Sequence, residues 1–177
     1  MIYEPREDSY LLEKEVRKYA RGKKVLDVGA GGGIQTKMAL KAGAKGVVAV
    51  DIDLESLKIL KKKGINAIKS NLFENIKEKF GLIIFNPPYL PDDNLEDVES
   101  KKATTGGKNG DEIIIRFLKD VDKYLEKNGI ILLLISSLTP QNRILKQLGK
   151  NGMKKRVIAE DKLFFEKLGV WMIKSIY

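Results

Sequence analysis

The chain has 177 residues and contains neither histidine nor cysteine. Without histidine, Ser-His-Asp and Cys-His nucleophilic catalysis are excluded; without either residue, so is an ordinary zinc site. No disulfide framework can form, which makes a reducing, intracellular compartment the expectation. Long apolar runs are missing as well. The longest unbroken aliphatic stretch, Ile130 to Ile135, is six residues, far short of the roughly 20 needed to span a bilayer. The opening residues, MIYEPRED, lack the apolar segment of a secretory signal. The expectation is a soluble cytoplasmic domain with no membrane attachment.

What is present supports a packed core. Hydrophobic residues make up 43% of the chain, and a chain of this size can bury about 70% of its unfolded surface in one domain. We expect a single domain over residues 1–177, with residues 1–22 as a leading helix or lid. Lys and Arg number 33 against 24 Asp and Glu, a net charge of +9. That excess permits an anionic partner but does not identify one.

Strand-like apolar runs alternate with helical patterns, the signature of βαβ units and a mostly parallel sheet. The runs predict strands at 24–28, 47–51, 67–69, 82–86 and 130–136, followed by a C-terminal antiparallel hairpin from 155–160 and 170–176. Helices are predicted at 7–20, 34–42, 54–62, 111–126 and 141–150. The fold class is α/β, a seven-stranded sheet with helices on both faces. Residues 87–110 form the one long irregular segment, and such segments are usually functional.

Three motifs carry chemistry. In the first, the strand Val25-Leu26-Asp27-Val28 runs into Gly29-Ala30-Gly31-Gly32-Gly33 and then a helix. Glycines let a ligand approach the backbone closely, and a helix N-terminus offers free N–H groups. The dinucleotide fingerprint requires a glycine where Ile34 stands. Asp27, just before the first glycine, would repel a pyrophosphate but pair with an ammonium. A tight turn without a ligand is the alternative reading. The second motif is Asp51, closing Val47-Val48-Ala49-Val50, where an acid accepts hydrogen bonds from ribose hydroxyls. Asp53 reads instead as the cap of the next helix. The two motifs together point to a nucleoside-bearing ligand without a pyrophosphate, for which S-adenosyl-L-methionine is the obvious candidate.

The third motif is Asn86-Pro87-Pro88-Tyr89, at the carboxyl end of a predicted strand. The prolines fix the backbone and supply no competing N–H. An Asn oxygen and a proline carbonyl can accept both hydrogens of a planar NH₂ group, while Tyr89 offers a ring face. An amide nitrogen is a poor nucleophile, so placing it in line with an electrophilic methyl, with its hydrogens polarised, supplies much of the barrier reduction. A proline turn after a buried strand is the bland alternative. Two further segments have simple readings. Pro5, Glu7 and Asp8 form either a helix start or a lid over a ligand, and Lys61-Lys62-Lys63 reads as a solvated, dipole-favoured helix end.

In combination, Asp27-x-Gly29-x-Gly31-x-Gly33, Asp51 and Asn86-Pro87-Pro88-Tyr89 resemble a Rossmann-like class I S-adenosylmethionine-dependent methyltransferase acting on an exocyclic or amide nitrogen. Tyr3-Glu4-Pro5-Arg6-Glu7-Asp8-Ser9-Tyr10-Leu11-Leu12 and Thr105-Gly106-Gly107-Lys108-Asn109-Gly110 resemble more narrowly the short HemK-like methyltransferases of archaea and eukaryotes. That family methylates the glutamine of the Gly-Gly-Gln tripeptide in class 1 peptide-chain release factors. The resemblance spans about residues 3 to 135. It implies that Ser9, Asp27, Gly29, Gly31, Asp51, Asn71, Leu72 and Asn86 contact the cofactor, whose product is S-adenosyl-L-homocysteine. It implies that Asn86, Pro87, Pro88 and Tyr89 hold the substrate amide, with Asn86, Pro87 and Tyr89 catalytic and no metal required. Position 71 is commonly Asp in the family; Asn71 accepts the same hydrogen bond without charge. The resemblance also implies a small zinc-binding activator protein as partner, and a release factor alone or with its GTPase as substrate.

Two other readings compete: an adenine-N6 methyltransferase acting on DNA or RNA, and a cofactor-binding scaffold without catalysis. Five of the eight residues from Asp92 to Glu99 are acidic, only partly offset by Lys101 and Lys102, and would repel a polyanion beside the third motif. A base-modifying enzyme must also extract its target from the stack, and the chain leaves no room for a recognition domain. A scaffold predicts a damaged third motif, and this one is intact. Protein glutamine is the favoured substrate.

Overall fold

The computed structural model describes residues 5–89 and 105–177. Tyr3, Glu4, the acidic stretch from Asp92 to Glu99, and Lys101 and Lys102 lie outside the described residues. Seven strands form one sheet in the order β3-β2-β1-β4-β5-β7-β6. They are β1 (Lys24–Val28), β2 (Gly46–Asp51), β3 (Ala67–Lys69), β4 (Phe80–Phe85), β5 (Leu125–Ser136), β6 (Met153–Lys162) and β7 (Lys167–Ser175). The first five pair in parallel and β7 pairs antiparallel with both β5 and β6. Five helices accompany them among the described residues: α1 (Glu7–Tyr19), α2 (Ile34–Lys41), α3 (Leu54–Lys62), α4 (Glu112–Asp120) and α5 (Asn142–Lys150).

Parallel strands are covered by helices on both faces, so they read as nearly continuous apolar runs. All six residues of β4 are buried. Alternate side chains serve different layers. Leu82 and Ile84 of β4, with Ile130, Leu132 and Leu134 of β5, pack beneath Leu12 and Val16 of α1 and Ala39 of α2. Ile83, Phe85, Ile131 and Leu133 face Ile114 and Phe117 of α4 and Ile144 and Leu148 of α5. Helix α3 packs Leu57 and Leu60 on Ala49 and Ala67.

The strand order reverses between β1 and β4, where successive crossovers run to opposite sides of the sheet. A crevice opens outside the carboxyl ends of the strands at such a point. The pairing Val28↔Phe85 sets the ends of these two strands level, so the turn after β1 and the segment after β4 emerge side by side. Phe85 is anchored there, its ring stacked on Phe117 with centroids 4.6 Å apart. Cutting a fully buried ring such as Phe117 back to alanine costs about 3–5 kcal/mol, so the residue that precedes Asn86 is held firmly.

Several boundaries differ from the sequence expectations. The predicted helix over 111–126 ends at Asp120, continues as a 3₁₀ turn over Val121–Tyr124, and gives way to β5 at Leu125. Phe80 pairs with Leu125 and Leu82 with Ile130, a bulge in which Asn128 adopts φ +66°, a conformation asparagine tolerates better than most residues. β4 starts two residues earlier than expected and stops at Phe85, leaving Asn86 outside the strand. β6 and β7 are longer than expected because each satisfies the other's backbone groups from Met153↔Ser175 to Lys162↔Lys167. No helix among the described residues is long and apolar enough to cross a membrane.

Candidate active site

A cavity of about 1230 Å³ occupies the crevice, and its walls include all eleven residues singled out above: Ser9, Asp27, Gly29, Gly31, Asp51, Asn71, Leu72 and Asn86 through Tyr89. Sequence-distant segments meet here because each leaves the carboxyl end of a strand or faces that edge.

The glycine turn is a wall of exposed backbone. Gly29, Gly31 and Gly33 have φ of +65°, +50° and +83°, the left-handed region that glycine occupies without penalty. A Cβ on Gly31 would meet nothing within 4 Å, so that position faces open space. Asp51 ties the turn together, its Oδ2 accepting from the Gly31 N–H at 2.8 Å and its Oδ1 from the Asp53 N–H at 2.9 Å. A carboxylate has about four lone-pair sites, so roughly two remain for a ligand. Asp53 caps α3 as expected, its Oδ2 accepting from both the Ser56 N–H and hydroxyl at 2.9 Å. The Ser56 N–H holds its carboxyl below the usual range despite partial desolvation. Lys61, Lys62 and Lys63 are exposed, as the solvated reading has them, and the Lys63 Nζ in addition donates to the Gly32 carbonyl at 2.9 Å and lines the cavity.

Asp27 is buried beneath this turn. Burial pushes its carboxyl up to about 7, against the pull of hydrogen bonds from the Thr36 side chain and backbone, with a smaller push from Asp51. The Thr36 hydroxyl donates to Asp27 Oδ2 at 2.6 Å. A carboxyl poised near neutrality ionises fully when a cation arrives, which suits a ligand ammonium. Gln35 on the same helix donates from Nε2 to the Ser9 carbonyl at 2.9 Å. Its Oε1 is buried without a partner among the described residues.

Beside the glycine turn, just after β4, the Asn86 amide donates from Nδ2 to Asp8 Oδ2 at 2.9 Å. Asp8 also accepts from the Ser9 hydroxyl at 3.3 Å. Because an ionised carboxylate only accepts, this contact fixes which end of the Asn86 amide faces inward. The Oδ1 left over is buried and has no hydrogen-bond partner among the described residues. Thr139, beyond the end of β5, donates from its hydroxyl to the Tyr89 carbonyl at 2.9 Å. The Tyr89 side chain packs on the α1 face of the sheet. Behind Pro88 sits the second glycine motif. A Cβ on Gly106 would lie 2.6 Å from the Pro88 oxygen and 2.3 Å from the Gly110 oxygen, so only glycine allows this approach.

Asn71 and Leu72 form the third wall. The Asn71 Oδ1 accepts from Arg116 Nη2 at 3.3 Å and its Nδ2 donates to Glu74 at 3.0 Å, so its oxygen is shared with a guanidinium. Leu72 has φ +54°, a left-handed conformation costing about 1–2 kcal/mol, held by the Ser70 hydroxyl donating to its carbonyl at 2.8 Å. Strain of this kind concentrates where a ligand meets the backbone.

Asp8, Gln35, Gly106, Thr139 and the hairpin residues Leu163 and Glu166 also shape the site or its surroundings, and sequence reasoning gave them no individual role. A signal for Asp8 existed: with Leu11, Leu12 and Glu15 it falls at i, i+3, i+4 and i+7, the buried face of α1.

Comparison with known proteins accords with this architecture. A Methanocaldococcus jannaschii protein bearing the provisional name protein N5-glutamine methyltransferase MJ0928 is 40% identical, covering 96% of this chain and 89% of its own. Human methyltransferase HEMK2 is 28% identical over 86% of this chain and 79% of its own. The E. cuniculi Mtq2-Trm112 complex, described as responsible for methylation of the eRF1 translation termination factor, contains a chain superposing with a TM-score of 0.80. That chain is 27% identical, with 98% of both chains covered. Residues 7–164 match the methyltransferase small domain, and the chain belongs to that family.

Proposed function

We propose that this protein transfers a methyl group from S-adenosyl-L-methionine to the side-chain amide nitrogen of glutamine in the Gly-Gly-Gln tripeptide of a class 1 peptide-chain release factor. The observation that carries this reading is the Asn86 Oδ1: a buried acceptor without a partner, oriented by Asp8, on a wall of the same cavity as the glycine turn and Asp51. A buried unsatisfied acceptor costs roughly 1–3 kcal/mol, and a substrate NH₂ group repays that cost.

The chain's donor and acceptor set fits the cofactor. Asp27 and the free Gln35 Oε1 suit an ammonium, Asp51 suits ribose hydroxyls, and Asn71 with the Leu72 backbone suits an adenine edge. The open face of Gly31 admits close approach. When bound, the cofactor supplies an electrophilic methyl group on sulfonium sulfur. The chain's own work is positional. Asn86 Oδ1 and the Pro87 carbonyl take the two amide hydrogens, which fixes the plane of the acceptor and raises electron density on its nitrogen. Tyr89 packs the site beside Asn86. The nitrogen gains a carbon bond and loses one proton to water, so no resident base is needed.

The names of the relatives above support a protein-glutamine acceptor over adenine. They also support a cytoplasmic setting in translation and a small activator subunit of the kind present in the Mtq2-Trm112 complex; a GTPase bound to the factor is a further candidate partner. The test is incubation with methyl-labelled cofactor and a release factor, wild type or with its Gly-Gly-Gln glutamine changed to alanine. The activator is added or omitted, and duplex DNA and RNA are offered as competitors. Label on the wild-type factor that vanishes with the alanine change is the expected result. Label on nucleic acid alone would transfer the site to adenine chemistry.

A further inference from the structure

We propose that Phe164 and Phe165, at the tip of the β6–β7 hairpin, are a docking point for the polypeptide that carries the methyl-accepting glutamine; this rests on the reading above that the acceptor is a folded protein. Between Lys162 and Lys167 the chain turns through Leu163-Phe164-Phe165-Glu166. The turn is closed by the Leu163 N–H donating to the Glu166 carbonyl at 2.8 Å. Its shoulders are fixed to the protein. Leu163 packs on the α1 face of the sheet, and Glu166 accepts from the Ser136 hydroxyl at 2.6 Å. The Lys167 N–H donates to the Ser137 hydroxyl at 2.9 Å.

The two rings that this frame presents belong to no core among the described residues. Phe164 is 92% exposed and Phe165 86%, and they meet edge to face with centroids 4.6 Å apart. Phenylalanine is ordinarily among the most buried residues. A mutually ordered pair on a braced turn is therefore an unpartnered apolar knob. Its place is informative: Leu163 and Glu166, on either side of the pair, line the same cavity as Asn86 and Tyr89.

The chemistry requires such a contact. The cavity inspects one glutamine side chain, which is the same in every protein, so selection among proteins must come from binding outside the reacting centre. Aromatic side chains are the usual anchors of such contacts because they bury much area at low entropic cost. The surrounding charge favours a polypeptide over a polyanion. Glu160, Asp161 and Glu166 outnumber Lys162 and Lys167, and Lys167 is held by Glu160 at 2.7 Å. From Glu160 to Lys167 the turn carries no run of basic residues of the kind that holds phosphates or anionic headgroups.

The test is steady-state methylation of an intact release factor and of a short Gly-Gly-Gln peptide by the wild type, Phe164→Ser/Phe165→Ser and Phe164→Tyr/Phe165→Tyr. Because the rings are exposed, the serine variant keeps the wild-type Tm. We expect its KM for the intact factor to rise at least tenfold, with kcat within twofold and cofactor Kd unchanged. KM for the peptide stays at the wild-type value, and the tyrosine variant restores KM for the factor. An unchanged KM for the factor in the serine variant overturns the proposal. So does an equal loss on peptide and factor, which would make the hairpin part of the catalytic wall. Lost affinity for anionic vesicles or RNA at unchanged KM would assign the rings to those partners and likewise overturn it. A wild-type enzyme that labels no release factor refutes the functional reading itself, and docking of that polypeptide with it.

Discussion

Asn86 and Asp8, 78 residues apart in sequence, meet through a hydrogen bond of 2.9 Å from the Asn86 Nδ2 to the Asp8 carboxylate. An asparagine amide can turn end for end about its last torsion, which would swap acceptor for donor. Asp8 removes that freedom: the turned amide would set its oxygen against a carboxylate with no hydrogen between them. The first turn of α1 thereby sets which way the Asn86 Oδ1 points.

Asp8 is a positioning residue, and its loss should register in turnover. Asp8→Ala frees the amide to turn, so kcat is expected to fall about tenfold to a hundredfold, the scale of a small misplacement at a reacting centre. KM for the acceptor should change less. Asp8→Asn retains an oxygen to receive the Nδ2 hydrogen and should recover most of kcat. Asn86→Ala sets the limit, lowering turnover by orders of magnitude while cofactor binding is weakened but persists. Steady-state kinetics of the three variants, with cofactor Kd by calorimetry, provide the check. Equal kcat for wild type and Asp8→Ala would refute the positioning role.

Much of this site was legible because its chemistry is local. The glycine turn, the acid closing β2, the Asp53 cap and the Asn-Pro-Pro-Tyr segment each announce themselves within a few residues. The bounds of β1, α3 and β3 coincide with the periodicity. What escaped depends on contacts distant in sequence. β5 begins early because Phe80 offers Leu125 a backbone partner, which no window around Leu125 contains. Lys63 turns back to Gly32 across 31 positions. The periodicity of α1 puts Asp8 rather than Glu7 on the buried face, but that its partner there is Asn86, 78 residues away, no local window contains.

Asp27 gives the ligand-free protein a defined pH response. Its carboxyl is raised to about 7 by burial, against about 3.9 in an unfolded chain. Between these values the native state holds a proton that the unfolded state has released, so stability falls as pH rises from about 4 to 7 and levels off above. Asp27→Asn keeps an acceptor for the Thr36 hydroxyl but carries no charge to desolvate. Its Tm minus that of the wild type should be near zero or negative at pH 4.5 and positive at pH 7.5. The same variant should lose at least tenfold in cofactor affinity at pH 7.5, where the carboxylate faces an ammonium. Thermal melts at both pH values without ligand, and titration with cofactor, test the two halves. A Tm difference independent of pH would place the perturbed group elsewhere.

Gly31 and Gly106 separate ligand binding from folding. At Gly31 a methyl group enters open space, and the residual cost is that of a left-handed alanine, about 1–2 kcal/mol. Gly31→Ala should therefore fold with a modestly lower Tm, while the new methyl occupies room on the cavity wall and weakens cofactor binding tenfold or more. At Gly106 the methyl would sit 2.3 Å from the Gly110 oxygen and 2.6 Å from the Pro88 oxygen, and backbone atoms cannot step aside as a flexible side chain would. Gly106→Ala should destabilise by about 1–3 kcal/mol, the usual cost of overpacking, and displace Pro88. Its kcat should then fall, with cofactor Kd within a few-fold of wild type. Tm, cofactor Kd and kcat measured on both variants decide the matter. If the variants shared one profile, the glycine turn and the Pro88 support would not be the separate devices the structure describes.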